Sequence, residues 1–385
     1  MQNPDPHTMI LPGATLGMLG GGQLGRMFTL SARTMGYRVI VLDPDPDSPA
    51  GQVADRHLLA PYLDRQSWQT LESECAAITT EFENIPVELL QHLAKRLPVR
   101  PGAHTVAIAQ NRETEKSWLR ANGFETAPFA IVSEADGLEA ACRTTGFPAV
   151  LKVARFGYDG KGQVRVANLN EARAAFAELG NQTCVLEQLL DLRLELSVVL
   201  GRNAAGQNAC FPVAENIHRD GILDTSIAPA RVDPALAARA RAAALHIAQQ
   251  LDYCGVLGVE FFVTTDDRLL VNELAPRPHN SGHFTLDACP TSQFELQVRA
   301  LCNLPLGATV QHSAAVMINL LGDAWGGSTP DWLPLVRHPE AKLHLYGKRE
   351  ARPGRKMGHY TCLAETVDGA LALAEAIRAG LRPRG

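Results

Sequence analysis

Val150-Leu151-Lys152-Val153-Ala154-Arg155-Phe156-Gly157-Tyr158-Asp159-Gly160-Lys161-Gly162-Gln163 is the stretch that decides how this chain is read. A short apolar run bounded by glycine predicts a buried strand entering a turn. Lys152 sits on that strand, where an ammonium is costly unless an anion meets it. Glycines at 157, 160 and 162 let backbone N–H groups close around phosphate oxygens. The pair suggests a loop folded over the phosphates of a nucleotide. Gly-x4-Gly-Lys-Ser/Thr is absent, which excludes a Walker A loop. A plain β-hairpin with a solvated lysine is the alternative.

A second signal lies at 255–275. Glu260 stands in Val-Glu-Phe-Phe-Val and Glu273 in Leu-Leu-Val-Asn-Glu-Leu. With Asp266-Asp267 as a two-residue turn, the hairpin register puts Glu260 opposite Glu273. Facing carboxylates repel unless a cation or proton lies between them. Hard oxygen donors beside a phosphate site point to Mg²⁺. Asn272 reaches the same point only if the strand twists or bulges there. Two solvated strand carboxylates are the alternative, at odds with their apolar neighbours. Pro276-Arg277-Pro278-His279-Asn280-Ser281-Gly282-His283 follows at once. Prolines stiffen this loop, and its guanidinium suits a carboxylate, bicarbonate or phosphate. Glu187, ahead of Gln188-Leu189-Leu190, and Glu195 on the next strand are candidates for adenine and ribose contacts.

The first hundred residues alternate strand-like and helix-like runs: strands at Thr15–Leu19, Arg38–Leu42 and Ala76–Thr80, and a helix at Gln23–Met35. This predicts a parallel sheet covered by helices. The first strand runs into Gly20-Gly21-Gly22-Gln23-Leu24-Gly25, a Gly-x-Gly-x-x-Gly match, and Asp43 ends the second. That is a dinucleotide fingerprint when taken alone. It also fits a tight strand-to-helix turn, or a helix N-terminus that binds another phosphate ester. Further on, helices are predicted at Glu113–Ala121, Glu171–Leu179, Pro234–Leu251 and Asp368–Ala379. Strands are predicted at Cys184–Glu187, Leu194–Leu200, Val310–Leu320 and Lys342–Tyr346.

The chain has 385 residues, 46% of them hydrophobic and 20% charged, with net charge −5. Two or three domains and a large core are expected. The charge balance argues against a general nucleic-acid binder, and no apolar run approaches the roughly 20 residues that span a bilayer. Eight scattered cysteines without a Cys-x2-Cys pair fit reduced core thiols in the cytoplasm. Residues 1–8 are polar and read as a disordered leader or an upstream start.

Lysine on a strand, glycine-rich flap, Glu-Gln hinge and two-carboxylate hairpin, in that order, resemble the ATP-grasp fold over nearly the whole chain. Gly-Gly-Gly-Gln-Leu-Gly-Arg (20–26), Phe-Gly-Tyr-Asp-Gly-Lys-Gly-Gln (156–163) and Asn-Glu-Leu-Ala-Pro-Arg-Pro-His-Asn-Ser-Gly-His (272–283) are similar to the N5-carboxyaminoimidazole ribonucleotide synthetase family. Formate-dependent glycinamide ribonucleotide transformylases have a similar loop, usually with Asp-Thr in place of Asn280-Ser281, and lack the Gly-Tyr-Asp. They, or another ATP-grasp ligase, are the alternative.

The resemblance implies an ATP-grasp fold at 113–305, an N-terminal parallel α/β (pre-ATP-grasp) domain at 9–112 and a small C-terminal α+β domain at 306–385. Arg112 and Lys152 would contact ATP phosphates under a flap made of Gly157, Tyr158, Asp159, Gly160, Lys161, Gly162 and Gln163. Glu187, Gln188, Leu189 and Leu190 would bind adenine, Glu195 ribose, and His218 and Asn272 further parts of the nucleotide. Glu260 and Glu273 would hold Mg²⁺. Gln23, Leu24, Glu83, Asn280 and Ser281 would lie on the ribonucleotide side, with Lys348, Arg355 and Lys356 on its 5′-phosphate. Arg277, Tyr158, Lys161 and His279 would serve the chemistry. Bicarbonate would attack ATP to give carboxyphosphate, whose CO₂ the amine of aminoimidazole ribonucleotide captures, in de novo purine biosynthesis. A cytoplasmic homodimer is expected, without nucleic-acid or membrane partners.

Overall fold

The computed structural model describes residues 8–157 and 162–381. Tyr158, Asp159, Gly160 and Lys161 lie outside the described residues, as does nearly all of the expected leader.

The N-terminal sheet is parallel, in the order Arg56–Leu58, Arg38–Leu42, Thr15–Leu19, Ala77–Thr80. Every residue of Thr15–Leu19 is buried, as a strand covered on both faces should be. The helix Gln23–Thr34 lays Met27 and Phe28 into a core that also contains Phe294, Leu301 and Tyr346. This half is therefore welded to later parts of the chain. Arg100 strengthens the weld by donating to the carbonyls of Ala300 and Leu301.

An antiparallel four-stranded sheet carries the Lys152 segment, in the order Phe129–Val132, Cys184–Gln188, Ala149–Val153, Gln163–Val166. Helices Leu138–Thr145 and Leu169–Glu178 cover one face through Leu138, Cys142 and Phe176. Ala149–Val153 and Gln163–Val166 are thus adjacent antiparallel strands, and the Val153 N–H donates to the Gly162 carbonyl (2.9 Å).

The third sheet has nine strands. Its order is Leu269–Ala275, Gly255–Thr264, Leu192–Arg202, Ala214–Arg219, Ile222–Ala228, Ala314–Leu321, Lys356–Ala364, Ala341–Leu345, with Asn208–Cys210 paired to Leu192–Arg202. The C-terminal strands extend the central sheet, because Ala314–Leu321 pairs with Ile222–Ala228. Along Gly255–Thr264, Val259, Phe261 and Val263 point into the core under helix Pro234–Gln250, while Glu260 and Phe262 take the half-open face. Burying Phe261 contributes about 1.5–3 kcal/mol, so the alternation fixes which face Glu260 occupies. All eight cysteines are free, and six are buried.

Candidate active site

The strand Leu269–Ala275 meets Gly255–Thr264 through a compensated register. The Thr264 N–H donates to the Arg268 carbonyl (3.1 Å), so the loop has three residues and ends on Asp267 at φ 64°. A left-handed residue in third position is usual for such loops. Phe261 therefore pairs with Val271, but Glu260 pairs with Glu273, because Asn272 is bulged out between them. The two-residue turn expected from sequence is corrected, yet the predicted Glu260–Glu273 pairing stands. The bulge also turns Asn272 toward Glu260, and its Nδ2 donates to Oε2 at 3.1 Å.

Each carboxylate already has a nitrogen partner. Glu260 Oε1 lies 3.1 Å from His279 Nε2. Burial pushes the Glu260 carboxyl up, but His279, His218 and Asn272 outweigh it and hold it at about 2. Glu273 Oε2 lies 3.3 Å from Arg112, and its side chain is 38% exposed. Arg112 opens helix Arg112–Ala121, whose N-terminus Asn111 caps by accepting the Glu113 N–H (2.9 Å). Its other nitrogen donates to the Gly157 carbonyl (3.5 Å), at the root of the flap.

The same helix buries Glu115 and Lys116. Glu115 accepts the Leu274 N–H at 2.7 Å, and burial together with Glu273 pushes its carboxyl up to about 8. Lys116 Nζ donates to the Asn272 carbonyl (2.9 Å) and lies 3.5 Å from Glu187 Oε2. Lys152 Nζ lies 3.0 Å from that same oxygen. Burial would raise the Glu187 carboxyl, but the two ammonium groups outweigh it and hold it at about 2. Lys152 is held below its ordinary value, chiefly by burial, despite Glu187. Gln188 ends the strand, the Leu189 N–H donates to the Pro148 carbonyl (2.9 Å), and Leu190 follows. Glu195 Oε2 lies 3.0 Å from His218 Nδ1 on the neighbouring strand, which raises the imidazole although burial opposes it.

The proline-stiffened loop sits against this array. Arg277 Nε donates to Glu83 Oε2 at 2.7 Å, joining the loop to the N-terminal sheet. Burial would raise Glu83, and Arg277 brings it below the usual carboxylate range. Ser281 is fully buried; its hydroxyl lies 2.7 Å from His279 Nδ1 and accepts from Ser197. Asn280 exchanges two hydrogen bonds with Asn319. The side chains of Asn280 and Ser281, expected on the ribonucleotide side, are thus spent on holding the loop and His279.

The glycine loop contradicts the dinucleotide alternative. The Gly21 N–H donates to Asp43 Oδ2 (2.8 Å), the Gly22 N–H to Glu81, and the Gly25 N–H to Glu81 Oε2 (2.8 Å). Protein carboxylates occupy the donors that would bind a pyrophosphate. A Cβ on Gly21 would stand 1.9 Å from Ser48 Oγ, so glycine is required there by close approach. Above this loop lies a cavity of about 330 Å³, lined by Gly21, Gly22, Gln23, Asp45, Ser48, Tyr62, Lys348 and Arg355. Lys348 and Arg355 thus meet Gln23 across more than 300 residues of chain. Lys356 lies beside them on its strand, its carbonyl accepting from Lys348 Nζ (2.7 Å). Leu24 turns its side chain into the core instead. Larger clefts, of about 570 and 720 Å³, open beside Cys210 and beside Arg193. Neither holds any of these groups, so volume alone does not locate the site.

Asp43, Tyr62, Glu81, Glu115 and Lys116 belong to the site and were not predicted as part of it. Asp43 was visible as the end of a strand. Lys116 could have been found as a cation four residues after Arg112, on the same helical face. Nothing local marks Tyr62 or Glu81.

A strand-borne lysine, a glycine-rich hairpin turn, a Glu-Gln hinge and paired carboxylates on a separate sheet define an ATP-grasp protein. A family model described as ATP-grasp domain matches residues 117–294; a ribonucleotide synthetase preATP-grasp domain matches 13–110, and a phosphoribosylaminoimidazole carboxylase C-terminal domain matches 315–372. The N5-carboxyaminoimidazole ribonucleotide synthase of Bacillus subtilis is 46% identical over 362 residues, 94% of each chain. A crystal structure of an N5-carboxyaminoimidazole ribonucleotide synthetase in its ADP complex superposes with TM-score 0.91 at 43% identity, covering 96% of this chain and 98% of that one. The Aspergillus clavatus synthase, in complex with ADP and 5-aminoimidazole ribonucleotide, gives 0.86 at 30% identity, covering 97% and 100%. This chain belongs to the N5-carboxyaminoimidazole ribonucleotide synthase family. Among the described residues no helix is long and apolar enough to cross a membrane.

Proposed function

We propose that this chain carboxylates the exocyclic amine of 5-aminoimidazole ribonucleotide at the expense of ATP and bicarbonate, releasing ADP and phosphate. The observation that carries this is the Arg277–Glu83 pair: Glu83 lines a recess with Arg112, Gly157 and Glu273, while its chain neighbour Phe82 lines the cavity beneath Lys348 and Arg355. One side suits a nucleotide triphosphate and the other a phosphorylated ribonucleotide.

Lys152 and Arg112 are the cations available to the transferring phosphoryl group, where offsetting charge is the main lever. Glu260 and Glu273 fit Mg²⁺: both offer hard carboxylate oxygens, and Glu260 is held ionised. When bound, the ion would supply further charge neutralisation to the phosphates. A bicarbonate oxygen attacks the γ-phosphorus, breaking its bond to ADP. The resulting carboxyphosphate splits into CO₂ and phosphate, and the amine adds to the carbon with loss of one proton. Arg277, presented on a stiff loop, is placed to hold the anion. His279, fixed between Glu260 and Ser281, would line the same space. Tyr158 and Lys161, which the family resemblance assigns to a flap, would help exclude water from an intermediate that water destroys.

The test is phosphate release from ATP with Mg²⁺ and bicarbonate. Strong stimulation by 5-aminoimidazole ribonucleotide supports the proposal. Equal stimulation by glycinamide ribonucleotide plus formate would assign the chain to the transformylase chemistry instead.

A further inference from the structure

Glu187 is bound asymmetrically. Lys152 (3.0 Å) and Lys116 (3.5 Å) both approach Oε2. Oε1 is buried and has no hydrogen-bond partner among the described residues. A buried carboxylate oxygen without a partner is expensive, and it is an acceptor prepared for a donor that arrives from outside.

The two lysines are not equivalent. Lys152 is 15% exposed in its side chain and stands on the strand that leads into the flap. Lys116 is 1% exposed and also tied to the Asn272 carbonyl. A lysine drawn onto nucleotide phosphates cannot keep its bond to Glu187 at full strength. Once Lys152 turns, Lys116 is the counter-ion that remains.

We propose that Lys116 is a positioning residue for purine selection: it keeps Glu187 ionised and oriented after Lys152 engages the phosphates, so that Oε1 accepts from a 6-amino purine and repels a 6-oxo purine. The proposal rests on the ATP-site assignment made above. A 6-oxo base would set its own lone pairs against the carboxylate, a repulsive element that confers selectivity. Without Lys116, the buried carboxylate either follows Lys152, which removes the acceptor, or takes up a proton, which gives it an O–H that can donate to a 6-oxo purine; both responses erode the selection.

The experiment compares kcat/KM for ATP and ITP in the full chain, with bicarbonate and 5-aminoimidazole ribonucleotide saturating, for wild type, Lys116→Met, Glu187→Gln and the double variant. Lys116→Met is expected to lower the ATP/ITP preference about tenfold. Glu187→Gln should lower it as well, the double variant should add nothing further, and Lys116→Arg should keep most of it. A Lys116→Met protein with the wild-type ratio, while Glu187→Gln loses it, overturns the role of Lys116 and leaves the adenine assignment standing. A wild-type ratio in Glu187→Gln overturns that assignment and the proposal with it. If Lys116→Met does not fold, Lys116→Gln, which still donates to the Asn272 carbonyl, takes its place with the same expectation.

Discussion

Glu260 stands opposite Glu273 because two irregularities cancel. The three-residue loop at 265–267 shifts the pairing by one residue, and the bulge at Asn272 shifts it back. The bulge does more than restore register, since it sets the Asn272 amide on Glu260 and the Asn272 carbonyl on Lys116. One extra residue thus connects the carboxylate pair to the hinge carboxylate Glu187.

Glu273→Gln should abolish most turnover, by about a hundredfold or more, while the protein still folds. The side chain is 38% exposed with one ion pair, so its loss costs about 0–1 kcal/mol of stability. A loss of charge at a Mg²⁺ position acts on phosphoryl transfer instead. Phosphate release across a Mg²⁺ titration, alongside the thermal midpoint, checks both parts. Retained activity at ordinary Mg²⁺ would remove the metal assignment.

Lys348→Ala and Arg355→Ala should each raise KM for 5-aminoimidazole ribonucleotide about tenfold or more, with KM for ATP little changed. Both line the cavity on the glycine-loop side, away from Lys152 and Glu187. Charge-assisted bonds to phosphate are worth about 1.5–3 kcal/mol. Equal rises in both KM values would show that the two substrates are not separated as proposed.

Glu81→Ala should destabilise the fold by about 2–3 kcal/mol, because it strands the N–H groups of Gly22 and Gly25 in the interior. Glu81→Gln keeps an acceptor and should cost less. Burial raises the Glu81 carboxyl, so its charge is not the main contribution. Urea denaturation of the three proteins gives the order, and a silent Glu81→Ala contradicts it.

Glu187 makes stability depend on acid. Its folded value of about 2 lies below the ordinary carboxyl value of 4.5, so its contribution is present above that ordinary value and is lost as pH falls through the folded one. The shift corresponds to at most about 3 kcal/mol. The buried Lys152, held low by desolvation, takes back part of this. The stability gap between wild type and Glu187→Gln should therefore be wide near about pH 6, reduced near about pH 3 and closed only as pH falls through about 2. A gap independent of pH would contradict the ionised triad.

What was legible in the sequence was local. Lys152 between valines, the glycines after it and the alternation around Glu260 reflect periodicity and turn chemistry, which neighbouring residues determine. The strand Lys356–Ala364 was missed because its first residues read as a charged cluster, and only pairing with Ala314–Leu321 reveals it. The small C-terminal α+β domain expected from sequence is present, and its strand Ala314–Leu321 also pairs with Ile222–Ala228, a long-range contact that extends the central sheet. Glu81 closing the glycine loop depends on parallel pairing across some 60 residues. No pattern within either segment encodes that contact. The family resemblance brought Glu83, Lys348 and Arg355 into view, where charge patterning alone did not distinguish them from a solvated surface.

The most direct measurement follows the oxygen atoms. With heavy-oxygen-labelled bicarbonate, ATP, Mg²⁺ and 5-aminoimidazole ribonucleotide, the released phosphate should carry one labelled oxygen, and the new carboxylate of the ribonucleotide product should carry the other two. Unlabelled phosphate alongside carboxylated product would mean that bicarbonate does not attack the γ-phosphorus. The reaction assigned to Lys152, Arg277 and the Glu260–Glu273 pair would then be wrong.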